Sequence, residues 1–187
     1  MKETKWSVQI KSTPTAVRYC KRCNMKTEFA SSGCFRVNGQ KKSLDVWLIY
    51  KCSICDTTWN LTVLSRVAPR SIPSDVLHGF HNNDSDLAMY HATDAGLIRR
   101  NGAEPRQPEI DIIGTDVHCD ESVRIRLSSK YPINIKIEAL MRKKVGLSHS
   151  EIDRLLSNGK LICVSGHDIK KHKLLGEVVV ELNAKQH

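Results

Sequence analysis

The amino-acid sequence predicts an α+β protein with a β-rich module at the N-terminus, a short helical connector and a smaller α+β module at the C-terminus. Three patterns predict this fold class. Residues 6–10 alternate between apolar and polar side chains, and residues 44–50 are rich in β-forming types, which is typical of strands. Apolar residues recur at helical spacing in 74–97 and again in 137–156. The 187 residues are enough for two small domains.

Proline positions and changes of composition indicate the boundaries between the modules. Pro69 and Pro73 interrupt the β-rich pattern, so the first module is predicted to span 1–70. Residues 71–120 are acidic and form the predicted connector, and residues 121–187 form the C-terminal module.

The C-terminal module is predicted to contain two helices and three strands. The first helix covers 135–145 and ends at Gly146, because glycine favours the left-handed conformation that follows many helices. Ser148 and Glu151 have the spacing of a capping box, which predicts the start of the second helix. The predicted strands are 123–127, 161–164 and 177–182.

The composition predicts a soluble, cytoplasmic protein. Hydrophobic residues make up 40% of the chain and charged residues 26%, as in ordinary globular proteins. No apolar run approaches the roughly 20 residues that cross a bilayer, and residues 1–5 do not begin a secretory signal. The seven cysteines are an odd number without an export signal, which favours reduced, metal-binding thiols over disulfides.

The net charge of +9 is unevenly distributed along the chain. Residues 1–70 carry 13 Lys and Arg against 4 Asp and Glu, residues 71–120 carry 3 against 9, and residues 121–187 carry 13 against 7. Two basic ends therefore flank an acidic middle. Clustered Lys and Arg bind polyanions because they release the counterions condensed on phosphates.

Four cysteines form the strongest motif of the sequence. Cys20 and Cys23 make one C-x-x-C pair, Cys52 and Cys55 make another, and 28 residues separate the pairs. Thiolates two residues apart can reach one ion from a tight turn, and a predicted hairpin lies between the pairs. This spacing predicts a structural Zn²⁺ in an N-terminal zinc ribbon. Four thiolates leave no open coordination position, so we expect no catalysis at the metal.

The cysteines and the histidines of the sequence also allow alternative interpretations. The four cysteines could be metal-free or form a redox pair, although no βαβ pattern surrounds them. Cys34 could replace one ligand, but it is more typical of a small core residue, as are Cys119 and Cys163. A second metal site or an acid/base set is conceivable in the acidic middle, with these candidates: His78, His81, Asp84, His91 and His118.

The C-terminal sequence resembles the S4 domain, a small RNA-binding fold. The resemblance is carried by 139–148 (ALMRKKVGLS), 149–161 (HSEIDRLLSNGKL) and 164–166 (VSG). It implies two helices packed on a small sheet, with basic residues that bind the RNA backbone. At the matching positions, the implied RNA-binding residues are Arg142, Lys143, Lys144, Arg154, Lys160, Lys170, Lys171 and Lys173.

The N-terminal sequence is similar to a bacterial family known only as a domain of unknown function. The similar segments are 32–38 (SGCFRVN) and 44–52 (LDVWLIYKC). This resemblance implies no activity, cofactor or partner.

Together these observations predict a non-enzymatic RNA-binding protein. Its expected partner is structured RNA, ribosomal or transfer RNA, and the ribosome is one candidate. The main alternative is a DNA-binding or transcription-associated regulator. A protein–protein adaptor is a further alternative, and an enzyme is disfavoured because the chain has no recognisable nucleophile with its base and no phosphate-binding loop.

Overall fold

A computed structural model describes residues 1–40 and 42–184 of the chain. The strands are β1 (Lys2–Ile10), β2 (Thr15–Cys20), β3 (Met25–Gln40), β4 (Ser43–Cys52), β5 (Thr58–Val67), β6 (Glu104–Pro105), β7 (Ile110–Ile113), β8 (Val123–Ser129), β9 (Leu161–Cys163) and β10 (Glu177–Leu182). The helices are α1 (Ser74–His81), α2 (Ser85–Thr93), α3 (Ala95–Arg100), α4 (Ile137–Val145) and α5 (His149–Ser157), and a short 3-10 helix covers Pro69–Ser71. None of the helices in the described residues is long and apolar enough to span a bilayer.

The predicted fold class is wrong, because the chain forms two compact units that are not consecutive in sequence. A central unit comprises residues 12–108, and a terminal unit comprises residues 1–11 together with 109–187. Each unit has its own five-stranded sheet. The segment predicted as a helical connector supplies α1–α3 to the central unit and β7 to the terminal unit.

The terminal unit joins the two ends of the chain in one sheet, with the strand order β7-β1-β8-β10-β9. Strand β1 pairs in parallel with β8, which places Trp6 opposite Leu127. Both side chains are fully buried, and α4 and α5 cover this face of the sheet with Leu140 and Ile152. The sheet needs β1 and β7 from outside residues 121–187, so the C-terminal segment is not the self-contained S4-like domain expected from its sequence.

Two local predictions within this unit are confirmed. Helix α4 ends at Gly146, which has a φ of 77° in the left-handed region. Helix α5 begins with a complete capping box, in which Glu151 N donates to Ser148 Oγ and Ser148 N donates to the Glu151 carboxylate. Both signals depend only on neighbouring residues, which explains why they could be read from the sequence.

The central unit contains an antiparallel sheet with the order β5-β4-β3-β2-β6. Alternate residues of β4, including Leu48 and Tyr50, are fully buried in a core that α1–α3 complete with Phe80 and Ile98. The four cysteines therefore belong to a five-stranded sheet with a helical cover rather than to a separate ribbon. The opposite face of this sheet, which we call the outer face, carries the intervening residues of each strand.

Candidate metal centre and basic surfaces

The sheet of the central unit brings the two C-x-x-C pairs together. Cys20 is the last residue of β2 and Cys52 is the last residue of β4, while Cys23 and Cys55 lie in the turns that follow. Strand β3 lies between β2 and β4 and pairs with both, so the two strand ends meet although they are distant in sequence. The hairpins thus provide the geometry that the spacing predicts.

The four sulfur atoms can hold one metal ion. All lie within 4.8 Å of one another. The Cys20 and Cys55 Sγ atoms are 3.6 Å apart, and the Cys23 and Cys52 Sγ atoms are 3.9 Å apart. Cys20 and Cys52 are buried, so the site is anchored in the core and its other two ligands face outward. In the described residues this is the one cluster of His, Cys, Asp or Glu close enough for such a role.

Hydrogen bonds prepare two of these sulfurs to be thiolates. Burial opposes the ionisation of Cys52, but the hydroxyl of Thr27, 3.3 Å from its sulfur, and the backbone N–H groups of Ile54 and Cys55 outweigh burial and lower the pKa of Cys52 to about 6. The hydroxyl of Thr57 lies 3.1 Å from the Cys55 sulfur and lowers the pKa of Cys55. Sequence reasoning missed both threonines, because a ligand motif does not identify hydroxyls placed by strand pairing.

The pKa of Cys23 shifts in the opposite direction to those of Cys52 and Cys55. Its hydrogen bond with Cys55, together with burial and the neighbouring thiols, raises the pKa of Cys23 to about 12. Several thiolates cannot share so small a space without a compensating cation. A divalent ion at the centre would supply that charge and release the proton from Cys23.

Exposed cations and apolar side chains surround the metal centre. Lys21, Arg22 and Lys51 are exposed, and in the part of the chain that the structure describes no carboxylate forms an ion pair with them. Tyr19, Met25 and Ile54 are 51%, 52% and 65% exposed. We call these six residues the knuckle surface. It combines positive charge with exposed apolar area beside the four cysteines.

The outer face of the central sheet also carries basic and aromatic side chains. Trp47 is half-buried in the middle of β4, with Arg36 opposite it on β3 and Thr62 opposite it on β5. Among the described residues, no aromatic ring or cation stacks on its indole. Lys51 and Tyr19 lie on the same face by strand alternation. The alternation of buried and less buried residues along β4 shows that Trp47 points away from the core.

The basic residues predicted on α4 are engaged within the protein. Arg142 Nη1 lies 2.6 Å from His149 Nε2, and His149 Nδ1 lies 3.0 Å from the carboxylate of Glu138. Lys143 donates to the Ile110 carbonyl at 2.6 Å. Contact of these residues with RNA stays a prediction, and it would compete with the existing hydrogen bonds.

Ion pairs also occupy three of the other predicted RNA-binding lysines. Lys144 pairs with Asp116 at 2.6 Å, Lys170 with Asp153 at 2.7 Å, and Lys171 with Asp168 at 3.6 Å. The structure thus neutralises much of the charge that the sequence places in this segment. The remaining members of the predicted set are Lys173, which is half-buried, and Arg154 and Lys160, which line a cavity.

The other candidate residues do not form a site. His78 and His81 are exposed on α1, whereas His91 is packed against Phe80 with a ring separation of 5.8 Å. The Asp84 carboxylate caps α2 by accepting from Leu87 N at 2.8 Å. Cys34 is exposed on β3 and is not one of the four clustered cysteines. The acidic middle therefore supplies helix caps and packing.

The profile of a protein family described as "Protein of unknown function (DUF1062)" matches residues 37–167. The match covers well over half of the chain and includes Cys52 and Cys55. It confirms the similarity to a family of unknown function, and that description names no activity. No curated protein and no solved structure is significantly similar to the chain.

Proposed function

Because the chain belongs to the DUF1062 family of proteins of unknown function, we propose its function from the geometry of its own residues: it is a non-enzymatic RNA-binding protein held in shape by one zinc ion. The observation that carries this proposal is the knuckle surface, where unpaired cations and exposed apolar side chains surround the metal centre.

Zinc is the metal that suits these ligands best. A Zn–S bond of about 2.3 Å in a tetrahedron requires sulfur atoms about 3.8 Å apart. The separations of 3.6 Å and 3.9 Å bracket this value. Soft thiolates in a four-sulfur set favour zinc over magnesium or calcium, and an Fe–S centre is the competing occupant. Because all four positions are thiolates, the ion is structural. Thiols that bind metal must stay reduced, so we place the protein in the cytoplasm.

The metal fixes the backbone that presents the cations. Lys21 and Arg22 lie between the two ligands of the first turn, and Ile54 lies between the two ligands of the second. Arg22 Nη1 also donates to the Cys55 carbonyl at 3.3 Å, which links one turn to the other. Groups held in one geometry lose less entropy when they bind a partner.

Unpaired bases in a structured RNA fit this surface. Lys21, Arg22 and Lys51 offer contacts to phosphates. The exposed ring of Tyr19 and the half-buried ring of Trp47 on the outer face offer planes for base stacking. Duplex DNA presents its bases edge-on in the grooves, so it would leave the aromatic residues unused. RNA with single-stranded loops is therefore the preferred partner.

The test compares two sets of lysine and arginine substitutions. One variant carries Lys21→Ala, Arg22→Ala and Lys51→Ala, and the matched control carries Lys170→Ala, Lys171→Ala and Lys173→Ala in the C-terminal segment. Fluorescence anisotropy would measure binding to an RNA hairpin with a ten-nucleotide loop, at several salt concentrations. If the three residues contact three phosphates, the slope of log K against log[salt] becomes shallower by about 2 in the first variant.

The outcomes separate the alternatives. Loss of affinity in the first variant alone, with zinc content unchanged, supports the proposal. Equal loss in the control would place the RNA on the C-terminal segment instead. Tighter binding to duplex DNA of the same sequence would favour the DNA-binding regulator. RNA binding that does not depend on salt, or no RNA binding even at low salt, would rule out the proposed function.

A further inference from the structure

A cavity of about 480 Å³ lies in the terminal unit, and none of its lining residues belongs to the four-cysteine cluster or to the knuckle surface. One wall is a face of α5, and the other is formed by Ala184, which follows β10, and by the segment before β8. The lining residues are Cys119, Asp120, Leu147, Glu151, Arg154, Leu155, Lys160 and Ala184. The volume is in the range of small-molecule sites.

Backbone hydrogen bonds hold the walls of this cavity in place. Lys160 N donates to the Leu155 carbonyl and Asn183 N donates to the Lys160 carbonyl, both at 2.8 Å. On the opposite side, Ala184 N donates to Ser122 Oγ at 2.9 Å. The cavity is therefore largely formed before any ligand enters.

The cavity presents charges of both signs around an apolar lining. Leu147, Leu155 and Ala184 contribute apolar side chains to the lining, and two cations and two carboxylates line the same space. The Glu151 carboxylate is positioned by Ser148, whose N and Oγ lie 2.8 Å and 2.7 Å from its Oε2 atom. The hydrogen bonds from Ser148 lower the pKa of Glu151, which keeps this group ionised.

Glu151 and Arg154 attract each other, and this attraction helps to lower the pKa of Glu151, but the two side chains do not form a close ion pair. Across the described residues, none of Asp120, Glu151, Arg154 and Lys160 forms an ion pair with another side chain. This contrasts with the neighbouring cations Lys144 and Lys170, which are both paired. Charged groups of both signs that line one cavity without closing into ion pairs are complementary to a ligand that also carries both signs.

We propose that this cavity binds a small zwitterion with an apolar body, of which an α-amino acid with a hydrophobic side chain is the simplest. Arg154 and Lys160 receive the carboxylate of the ligand, Asp120 and Glu151 receive its ammonium group, and Leu147 and Leu155 contact its side chain. This proposal does not depend on RNA binding, and it gives Arg154 and Lys160 a role other than the one that their sequence implied.

Ligand-observed NMR with the full-length, metal-loaded protein would test this site. The probes are L-leucine, L-methionine and L-phenylalanine, each compared with its N-acetyl form and its methyl ester. The free amino acid is expected to bind at least tenfold more tightly than either blocked form, because each block removes one of the two charges. The variants Arg154→Ala and Glu151→Gln each remove one charge from the cavity, and each should bind the free amino acid at least tenfold more weakly. Glutamine at position 151 retains the capping box. Lys173→Ala serves as the control and should bind normally.

Alkylation by iodoacetamide supplies a second readout. Cys119 is exposed at the cavity, whereas Cys34 is exposed in the central unit and acts as an internal control. Ligand should slow the alkylation of Cys119 severalfold and leave Cys34 unchanged. If the N-acetyl form binds as tightly as the free amino acid, the cavity is a simple anion site and the proposal is wrong. The proposal is also overturned if none of the three amino acids binds, or if Arg154→Ala leaves binding unaffected.

Discussion

The guanidinium carbon of Arg18 lies 4.4 Å from the centroid of the Trp59 ring. Burial lowers the pKa of Arg18, and the neighbouring Cys20 acts in the opposite direction. Trp59 in turn packs against Tyr50 and Phe29, with ring separations of 5.1 Å and 6.0 Å. Arg18 therefore covers an aromatic cluster that adjoins Cys20 on β2 and Cys52 on β4.

Replacing Arg18 should destabilise the protein through this stacked contact. We expect Arg18→Ala to lower the free energy of unfolding by about 1 kcal/mol, the usual size of a partly exposed cation–π contact. Arg18→Lys keeps the charge but loses the planar group, so it should recover only part of the loss. Urea unfolding with zinc in excess would measure both variants. Full recovery by lysine would show that charge alone matters.

Removing a metal ligand should have a much larger effect. Cys23→Ser leaves three thiolates, so zinc content should fall well below one ion per chain, and the free energy of unfolding should fall by about 3 kcal/mol or more. Cys34→Ser is the matched control, because Cys34 is not in the cluster. Elemental analysis and thermal unfolding would check both. Stoichiometric zinc in the Cys23→Ser protein would contradict the four-sulfur site.

His91 should make stability depend on pH. Burial lowers its pKa, and the charge of Asp94 offsets only part of this. In the unfolded chain the imidazole has its ordinary pKa of about 6.5, so below that pH the unfolded state binds more protons and the folded state loses stability. His91→Phe, which suits the contacts with Phe35 and Phe80, should remove this loss.

The measurement is the difference in unfolding free energy between wild type and His91→Phe at neutral and at acidic pH. Both proteins contain the same cysteines, so release of metal by acid affects them alike. The variant should become relatively more stable as the pH falls. A difference that stays constant would show that His91 titrates equally in both states.

Gly114 should not tolerate a side chain. It has a φ of 148°, and an added Cβ would overlap with the Lys5 carbonyl oxygen and with Cδ1 of Trp6. The Trp6 indole N–H also donates to the Thr115 carbonyl at 2.8 Å, which holds the backbone close to the ring. Gly114→Ala should therefore cost about 3 kcal/mol or more, since neither neighbour can move easily.

Gly166 provides the control for this substitution. Its φ of 75° also disfavours a side chain, but no atom lies near the position of its Cβ. Gly166→Ala should cost only about 1 to 2 kcal/mol, the usual penalty of the left-handed conformation. Chemical denaturation of the two variants separates steric overlap from backbone strain, and similar losses would mean that the contact with Trp6 relaxes.

Some features of this protein follow from short stretches of sequence. The cluster of Cys20, Cys23, Cys52 and Cys55 was predictable because a C-x-x-C turn is a local device and two such turns need only one hairpin to meet. The capping box at Ser148 and the helix end at Gly146 were equally local. Residues close in sequence interact whatever the rest of the chain does.

The tertiary structure decided the features that depend on distant partners. The pairing of Trp6 with Leu127 unites the two ends of the chain, and no periodicity within either strand specifies its partner. The same holds for the charged residues. Lys144 looks available for binding in the sequence, but in the folded chain it forms an ion pair with Asp116, which lies in a different segment. Sequence by itself thus determined the four-cysteine cluster and the local caps, whereas strand pairing and ion pairing, which act between residues far apart in the chain, decided the architecture and which cations remain available.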